Sequence, residues 1–249
     1  GVTGVQTCAL PICRWGSEAF AEAQKATIGG FEVELRPGLF AGQPAPLGGG
    51  SRLSSIVKHP VDRLTLTATG PQEDQQADLT VHGGVDKAVH LYPVEHYAML
   101  AQAFPAAAAV LGSGFLGENV SLAGLCEDRL RLGDRLVIGD AVLEVSQPRS
   151  PCWKIDSRTG EKGVAEHIAR QYLTGWYCRV LHPAVIRADS PVCHETVHAD
   201  WPTLLQLMTL MAEHRPEPAR LRAAAVPALT QSWQDKLHKR ADWLEQQAG

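Results

Sequence analysis

Cys152 stands between two cations, Arg149 and Lys154, in the stretch Ser146-Gln147-Pro148-Arg149-Ser150-Pro151-Cys152-Trp153-Lys154. The thiolate is the reactive and metal-binding form of cysteine, and neighbouring positive charge favours it. Pro148 and Pro151 fix their own φ and push the residue before each toward extended geometry, so a stiff loop is expected around Arg149 and Cys152. Thiolate ligands suit soft or thiophilic metals, and the flanking cations suit an anionic cofactor. The same residues also read as a surface turn with an incidental thiol, or as a Pro-x-x-Pro ligand.

Two glycine loops offer further chemistry. In Val81-His82-Gly83-Gly84-Val85-Asp86-Lys87 the paired glycines let backbone N–H groups approach an anion, or close a tight turn, and Lys87 adds a point charge suited to phosphate. In Gly112 to Asn119, Glu118 and Asn119 either present a carboxylate and an amide to a site or fold back onto their own backbone. Ten histidines invite a metal reading. Cys178 with His182, and Cys193 with His194 and His198, match no strong zinc-finger spacing. Neither a P-loop nor a dinucleotide fingerprint opens a strand–helix unit, and no Gly-x-Ser-x-Gly elbow is present, so nucleotide-binding and hydrolase readings lack support.

The elements that must position these residues are mainly strands. Arg135-Leu136-Val137-Ile138 and Ala141 to Val145 form a hairpin about Gly139-Asp140, and its second strand delivers the chain into the Cys152 loop. Strand patterns also cover Phe31 to Leu35, Arg52 to Val61, Leu64 to Thr67, Trp176 to Leu181 and Ala184 to Ile186, while Gly70 to Asp78 reads as exposed loop. Pro93 opens a helix whose buried face carries Tyr97, Leu100 and Phe104, and Glu161 to Tyr172 reads as another. Parallel β-α-β repetition is absent. The expected fold is mainly β with α, a closed or strongly curved barrel over residues 29–190. Residues 191–249 read as a three-helix domain, with Leu204, Leu207, Met208 and Met211 on one stripe, Pro218 to Ala225 as a short helix, and Thr230 capping a helix buried through Trp233, Leu237, Ala241 and Leu244.

Composition bounds the function classes. The 249 residues are 45% hydrophobic and 20% charged, enough for a sizeable core, and the net charge of −4 gives no overall footprint for nucleic acid. No run approaches the roughly 18 apolar residues of a membrane span, and no secretory signal pattern opens the chain, so a cytoplasmic protein without membrane or nucleic-acid partners is expected. The scattered six cysteines suggest reduced thiols rather than a disulfide framework. Gly4 to Ile12 resembles a translated sequencing adapter, so residues 1–16 are set apart as non-native in the fold argument.

Four ordered blocks together resemble the MOSC superfamily, and within it the YiiM-like proteins. They are Val81 to His90 with Tyr92 to Tyr97, then Gly117-Glu118-Asn119, then Gly133-Asp134, then Gln147 to Lys154. The resemblance implies a MOSC β-barrel related to the C-terminal domain of molybdenum cofactor sulfurase, with the three-helix tail as a YiiM-like feature. It implies a molybdenum-cofactor oxidoreductase that reduces N-hydroxylated compounds such as 6-hydroxylaminopurine, fed by a separate NAD(P)H-dependent flavoprotein reductase. Carried over by residue, Cys152 would ligate molybdenum, with Arg149 and Lys154 lining the site. His82, Gly83, Gly84, Asp86, Lys87, Glu118 and Asn119 would shape the pterin and phosphate pocket, the alternative for Asp86 and Glu118 being a structural role in holding the glycine loops. The alternative is a sulfur-carrier or cofactor-binding module that uses Cys152 without turnover of its own. Monomer and homodimer are both open.

Overall fold

The computed structural model describes residues 25–28, 31–34, 36–47, 53–75 and 83–247. The expectations for residues 1–16 and for His82 lie outside the described residues. Apolar runs bounded by glycine, proline and aspartate become strands. In chain order they are β1 (Lys25–Ile28), β2 (Phe31–Glu34), β3 (Gly38–Ala41), β4 (Ala45–Pro46), β5 (Leu53–Ser54), β6 (His59–Pro60), β7 (Arg63–Thr67) and β8 (Gly70–Pro71). Then follow β9 (Val89–Pro93), helix α1 (Glu95–Ala103), β10 (Val120–Leu122), β11 (Arg135–Ile138) and β12 (Ala141–Pro148). After the Cys152 loop come α2 (Lys154–Thr159), α3 (Val164–Arg170), β13 (Trp176–His182), β14 (Val185–Arg187) and β15 (Val192–Glu195). Helices α4 (Leu204–Ala212), α5 (Pro218–Ala224) and α6 (Gln231–Gln246) complete the described chain.

The main sheet has eight strands in the order β15-β11-β12-β13-β9-β10-β3-β6. The closed barrel expected from strand dominance does not form among the described residues, because β15 and β6 remain as the two edges. Strand β6 ends on Pro60, which has no N–H with which to extend a ladder, and beyond β15 the chain turns into helices. The expected hairpin is present, with Arg135 paired to Glu144 and Ile138 to Ala141 across Gly139-Asp140. One pairing departs from the antiparallel expectation. Strands β9 and β10 run parallel with α1 in the crossover, a single β-α-β unit.

Three local differences have clear causes. The strand expected over Arg52 to Val61 breaks into β5 and β6 around the irregular residues 55–58. The chain after Cys152 forms α2, which Gly160 ends in the left-handed conformation at φ 73°. The helix expected from Glu161 starts only at Val164, where Asp156 accepts the Gly163 and Ala165 N–H groups, each at 2.8 Å, across its two oxygens.

One hydrophobic cluster runs through the molecule. It joins Leu64 and Leu66 of β7 and Ile186 of β14 to Leu91, Val120, Leu143, Val145 and Trp176 of the main sheet, and continues into Leu207, Leu221, Leu237 and Leu244 of the C-terminal helices. Helix α4 begins with a reciprocal capping box between Thr203 and Gln206, at 3.1 and 2.9 Å. A second cluster, with Tyr92, Tyr97, Leu100, Ile155, Val164 and Ile168, packs α1, α2 and α3 together beneath the Cys152 loop. Among the described residues no helix is long and apolar enough to cross a membrane.

Candidate active site

Strand β12, buried at every position but Glu144, runs to Pro148, and the next four residues place Arg149 and Cys152 at the wall of a cavity of about 90 Å³. Of the residues singled out from the sequence, Gly83, Lys87, Asn119, Arg149, Cys152 and Lys154 line this one cavity. Gly83 and Gly84 both have positive φ, 95° and 83°, a region in which only glycine is comfortable. Asp86 turns away to pair with Arg179 at 2.7 Å.

Glu118 is completely buried behind the wall. One of its oxygens accepts hydrogen bonds from the Tyr97 hydroxyl at 2.6 Å, the Gly114 N–H at 2.6 Å and the Ser121 hydroxyl at 2.9 Å. It thereby ties the glycine loop to α1 and β10. Gly117, on the cavity side of the same loop, has φ 84°, and a side chain there would meet Ile56 at 3.0 Å.

Among the wall residues that sequence reasoning missed are Ser55, Lys58, Asp74, His90 and Tyr177. Asp74 was placed in an exposed loop, yet its side chain is 4% exposed. It pairs with Lys58 Nζ at 2.6 Å and accepts from the Gly42 N–H at 2.8 Å and Asn119 Nδ2 at 3.0 Å. Lys58 is desolvated, which lowers its pKa, while Asp74 pulls it back up. Burial, and then the Arg149 charge, hold His90 well below the usual histidine value, so its ring is neutral at pH 7. Burial likewise raises the Tyr177 hydroxyl, which keeps its proton. The signals for these residues were present but dispersed: Lys58 sat in a strand pattern and His90 in the glycine-loop block.

Arg149 is held through both its backbone and its guanidinium. Its N–H donates to the Gly175 carbonyl at 3.1 Å and its Nη2 to the Leu116 carbonyl at 3.2 Å. Its Nη1 is buried without a partner among the described residues, as is Ser55 Oγ on the same wall. Buried donors are nearly always satisfied, so a guanidinium nitrogen and a hydroxyl left open at one cavity mark a place for a ligand acceptor. The wall thus offers a soft thiol, cationic forks and points, and open donors. This set fits an anionic, phosphate-bearing cofactor with a thiophilic metal.

Behind Arg149 the Gly175 N–H donates to Glu127 at 2.7 Å, and Glu127 lies 3.3 Å from His96 Nε2. Burial raises Glu127 to about 7 and lowers His96 to about 4. Their linkages oppose. Between pH 4.5 and 7 the folded state holds the Glu127 proton more tightly than the unfolded chain, so this group costs stability as pH rises. Between pH 4 and 6.5 the unfolded chain binds a His96 proton that the folded state does not, so this group adds stability as pH rises. His96→Gln is therefore expected to make stability fall from pH 4.5 to 7 relative to the parent, measured by urea unfolding at each pH. An unchanged pH dependence would discard a buried His96 that stays neutral in the folded state.

The residues weighed for zinc lie apart. Cys178 is fully buried, His182 Nδ1 is 2.9 Å from the Asp140 carbonyl, His194 contacts Asp134 at 2.8 Å and His198 stacks on Trp201. Among the described residues no three metal-ligating side chains of the His, Cys, Asp or Glu type converge. Cys126, Cys152 and Cys178 are free thiols.

The MOSC domain family profile matches residues 78–193, a span that contains both the Lys87 and the Cys152 segments. Protein YiiM of Escherichia coli strain K12 is 36% identical over 192 residues, which cover 75% of this chain and 84% of that protein. The crystal structure of YiiM from Geobacillus stearothermophilus superposes with a TM-score of 0.68 at 27% identity, covering 82% of this chain and 97% of that one. A Gibberella moniliformis protein named "Reductase" is 32% identical over 159 residues, 63% of this chain but only 28% of that longer protein.

Proposed function

This chain belongs to the MOSC domain family, among its YiiM-like members, and from that premise we propose that it is a molybdenum-cofactor oxidoreductase acting on N-hydroxylated compounds. The observation that carries the reading is the convergence of Cys152 with Arg149, Lys87 and Lys154 on one cavity where Arg149 Nη1 and Ser55 Oγ have no partner among the described residues. The name of the Gibberella relative supports the reductive direction.

Cys152 supplies the thiolate ligand, and Arg149 offers its open Nη1 to a phosphate or pterin oxygen. Lys87 and Lys154 contribute point charges, and Gly83 lines the cavity at a positive φ that suits glycine. When bound, the cofactor supplies two-electron redox chemistry for the overall conversion of R–NHOH, two electrons and two protons to R–NH2 and water. The neutral His90 ring and the protonated Tyr177 hydroxyl add no charge to the cationic wall, which keeps its attraction for anions intact. With no nucleotide or flavin motif in the sequence, the electrons are assigned to a separate NAD(P)H-dependent flavoprotein reductase. The substrates are N-hydroxylated bases of the 6-hydroxylaminopurine kind.

The test is the molybdenum and released-pterin content of protein from a cofactor-competent host, beside the Cys152→Ala variant. Metal and pterin in the parent, with metal lost from the folded variant, are expected. Reduction of 6-hydroxylaminopurine by the parent with a chemical reductant should vanish with the metal. A folded parent without metal or pterin overturns the reading, and a labile sulfane sulfur on Cys152 would then support a carrier.

A further inference from the structure

Arg179 of β13 joins three parts of the molecule that are far apart in sequence. Its Nε donates to Asp86 Oδ1 at 2.7 Å, and its Nη1 donates to Glu144 at 2.9 Å and to the Ala228 carbonyl at 2.6 Å. Asp86 lies in the one-turn helix Val85–Lys87, between the cavity-lining residues Gly83 and Lys87. Its carbonyl accepts the Ser146 hydroxyl at 2.6 Å, so the turn is held to β12 as well as to β13. Ala228 belongs to the connection between α5 and α6. A second, independent link runs the same way: the Thr230 hydroxyl donates to Gln147 Oε1 at 3.0 Å, two residues before Arg149. Thr230 occupies the N-cap position of α6, yet its side chain makes no cap hydrogen bond and is used on Gln147 instead.

We infer that Arg179 is a positioning residue that clamps the Gly83–Lys87 wall of the cavity to the connection before α6, so that the C-terminal helices set the shape of the anion-binding wall from behind. The inference deepens the cofactor-site reading and rests on it for the identity of the ligand. The chemistry follows from the side chain. A guanidinium is a planar fork whose nitrogens bind in different directions at once, whereas a lysine offers one point charge. Only an arginine at 179 reaches the Asp86 carboxylate, the Glu144 carboxylate and the Ala228 carbonyl together. Glu144 keeps the fork aimed, because its strand pairs with β13 and places Glu144 opposite Arg179 in register.

Two measurements on the full chain separate this inference from the cofactor reading. The first is amide hydrogen exchange of the protein stripped of any bound cofactor. Arg179→Gln is expected to speed exchange in the peptide containing residues 85–88 by on the order of tenfold, as loss of a charge-assisted anchor does. Asp86→Asn should do the same from the other side, and the double variant should add little to either, because both break one contact. Arg179→Lys should restore protection at 85–88 through Asp86 but not in the peptide around residue 228. Unchanged exchange at 85–88 in Arg179→Gln overturns the clamp, and so does full additivity of the two variants. The second measurement is released-pterin content after extensive dialysis. It should fall severalfold in Arg179→Gln at an unchanged thermal midpoint and recover in Arg179→Lys. A loosened loop with parental pterin content overturns the link to the site. A parent with no pterin at all defeats the cofactor reading instead, and the exchange data still decide the clamp.

Discussion

Glu118→Ala is expected to lower the free energy of unfolding by about 3–5 kcal/mol, the scale of several buried donors left unsatisfied at once. The expectation follows from burial and from the count of donors. Glu118 is 0% exposed, and one of its oxygens accepts from the Tyr97 hydroxyl, the Gly114 N–H and the Ser121 hydroxyl. Alanine strands all three donors in a place that water does not reach, at about 1–3 kcal/mol for each group left unsatisfied and less than additively. Glu118→Gln retains an acceptor oxygen and should cost about 1–2 kcal/mol. Urea unfolding of the three proteins checks the order, and an alanine variant within about 1 kcal/mol of the parent would contradict it. The cavity should suffer too, since Gly117 and Asn119 flank this anchor and both form the wall.

Asp74→Ala is the second large effect, again about 3–5 kcal/mol at neutral pH, because it leaves the Lys58 ammonium buried without its ion-pair partner. Here the pH dependence identifies the cause. Burial already lowers the Lys58 pKa below 10.5, and Asp74 opposes that shift, so removing Asp74 lowers it further. Between the lowered value and 10.5 the unfolded chain carries a proton that the folded chain lacks, and stability rises with pH through that interval. The deficit of Asp74→Ala should therefore shrink between pH 7 and pH 9.5. A deficit independent of pH would mean that the lost Gly42 and Asn119 hydrogen bonds, rather than Lys58, carry the effect. The double variant Lys58→Met with Asp74→Asn removes the charge while keeping a hydrogen-bonding side chain at 74, and should lie within about 2 kcal/mol of the parent.

The reach of the sequence follows how local each feature is. Arg149, Cys152 and Lys154 fall within six consecutive positions stiffened by Pro148 and Pro151, so their convergence needs no knowledge of the fold. The hairpin that delivers them was equally legible, since Gly139-Asp140 and the flanking apolar runs are local signals. Lys58 and Asp74 were not legible as a pair, because a polar stretch such as Gly70 to Asp78 has the same composition whether its aspartate is solvated or capping a buried amine. The parallel pairing of β9 with β10 and the open edges of the main sheet escaped for a related reason. Strand content says nothing about which strands meet, and closure depends on edge residues such as Pro60 that carry no pattern of their own. Thr230 was read as a helix cap from its type and place, and the structure instead directs its hydroxyl to Gln147.

The wall of the cavity is drawn from segments around residues 54–58, 74, 83–90, 116–119, 149–154 and 177, and its rear braces reach residues 228 and 230. A site assembled from contacts so remote along the chain closes late, because each long loop must be ordered before its contacts return any free energy. During synthesis the thiol at 152 emerges before Tyr177 and well before Ala228, so for an interval it is presented on a wall whose backing does not yet exist. On the cofactor reading, capture would then be an event for the completed fold, and the interval before it would be the period in which Cys152 is most open to adventitious metals and oxidants.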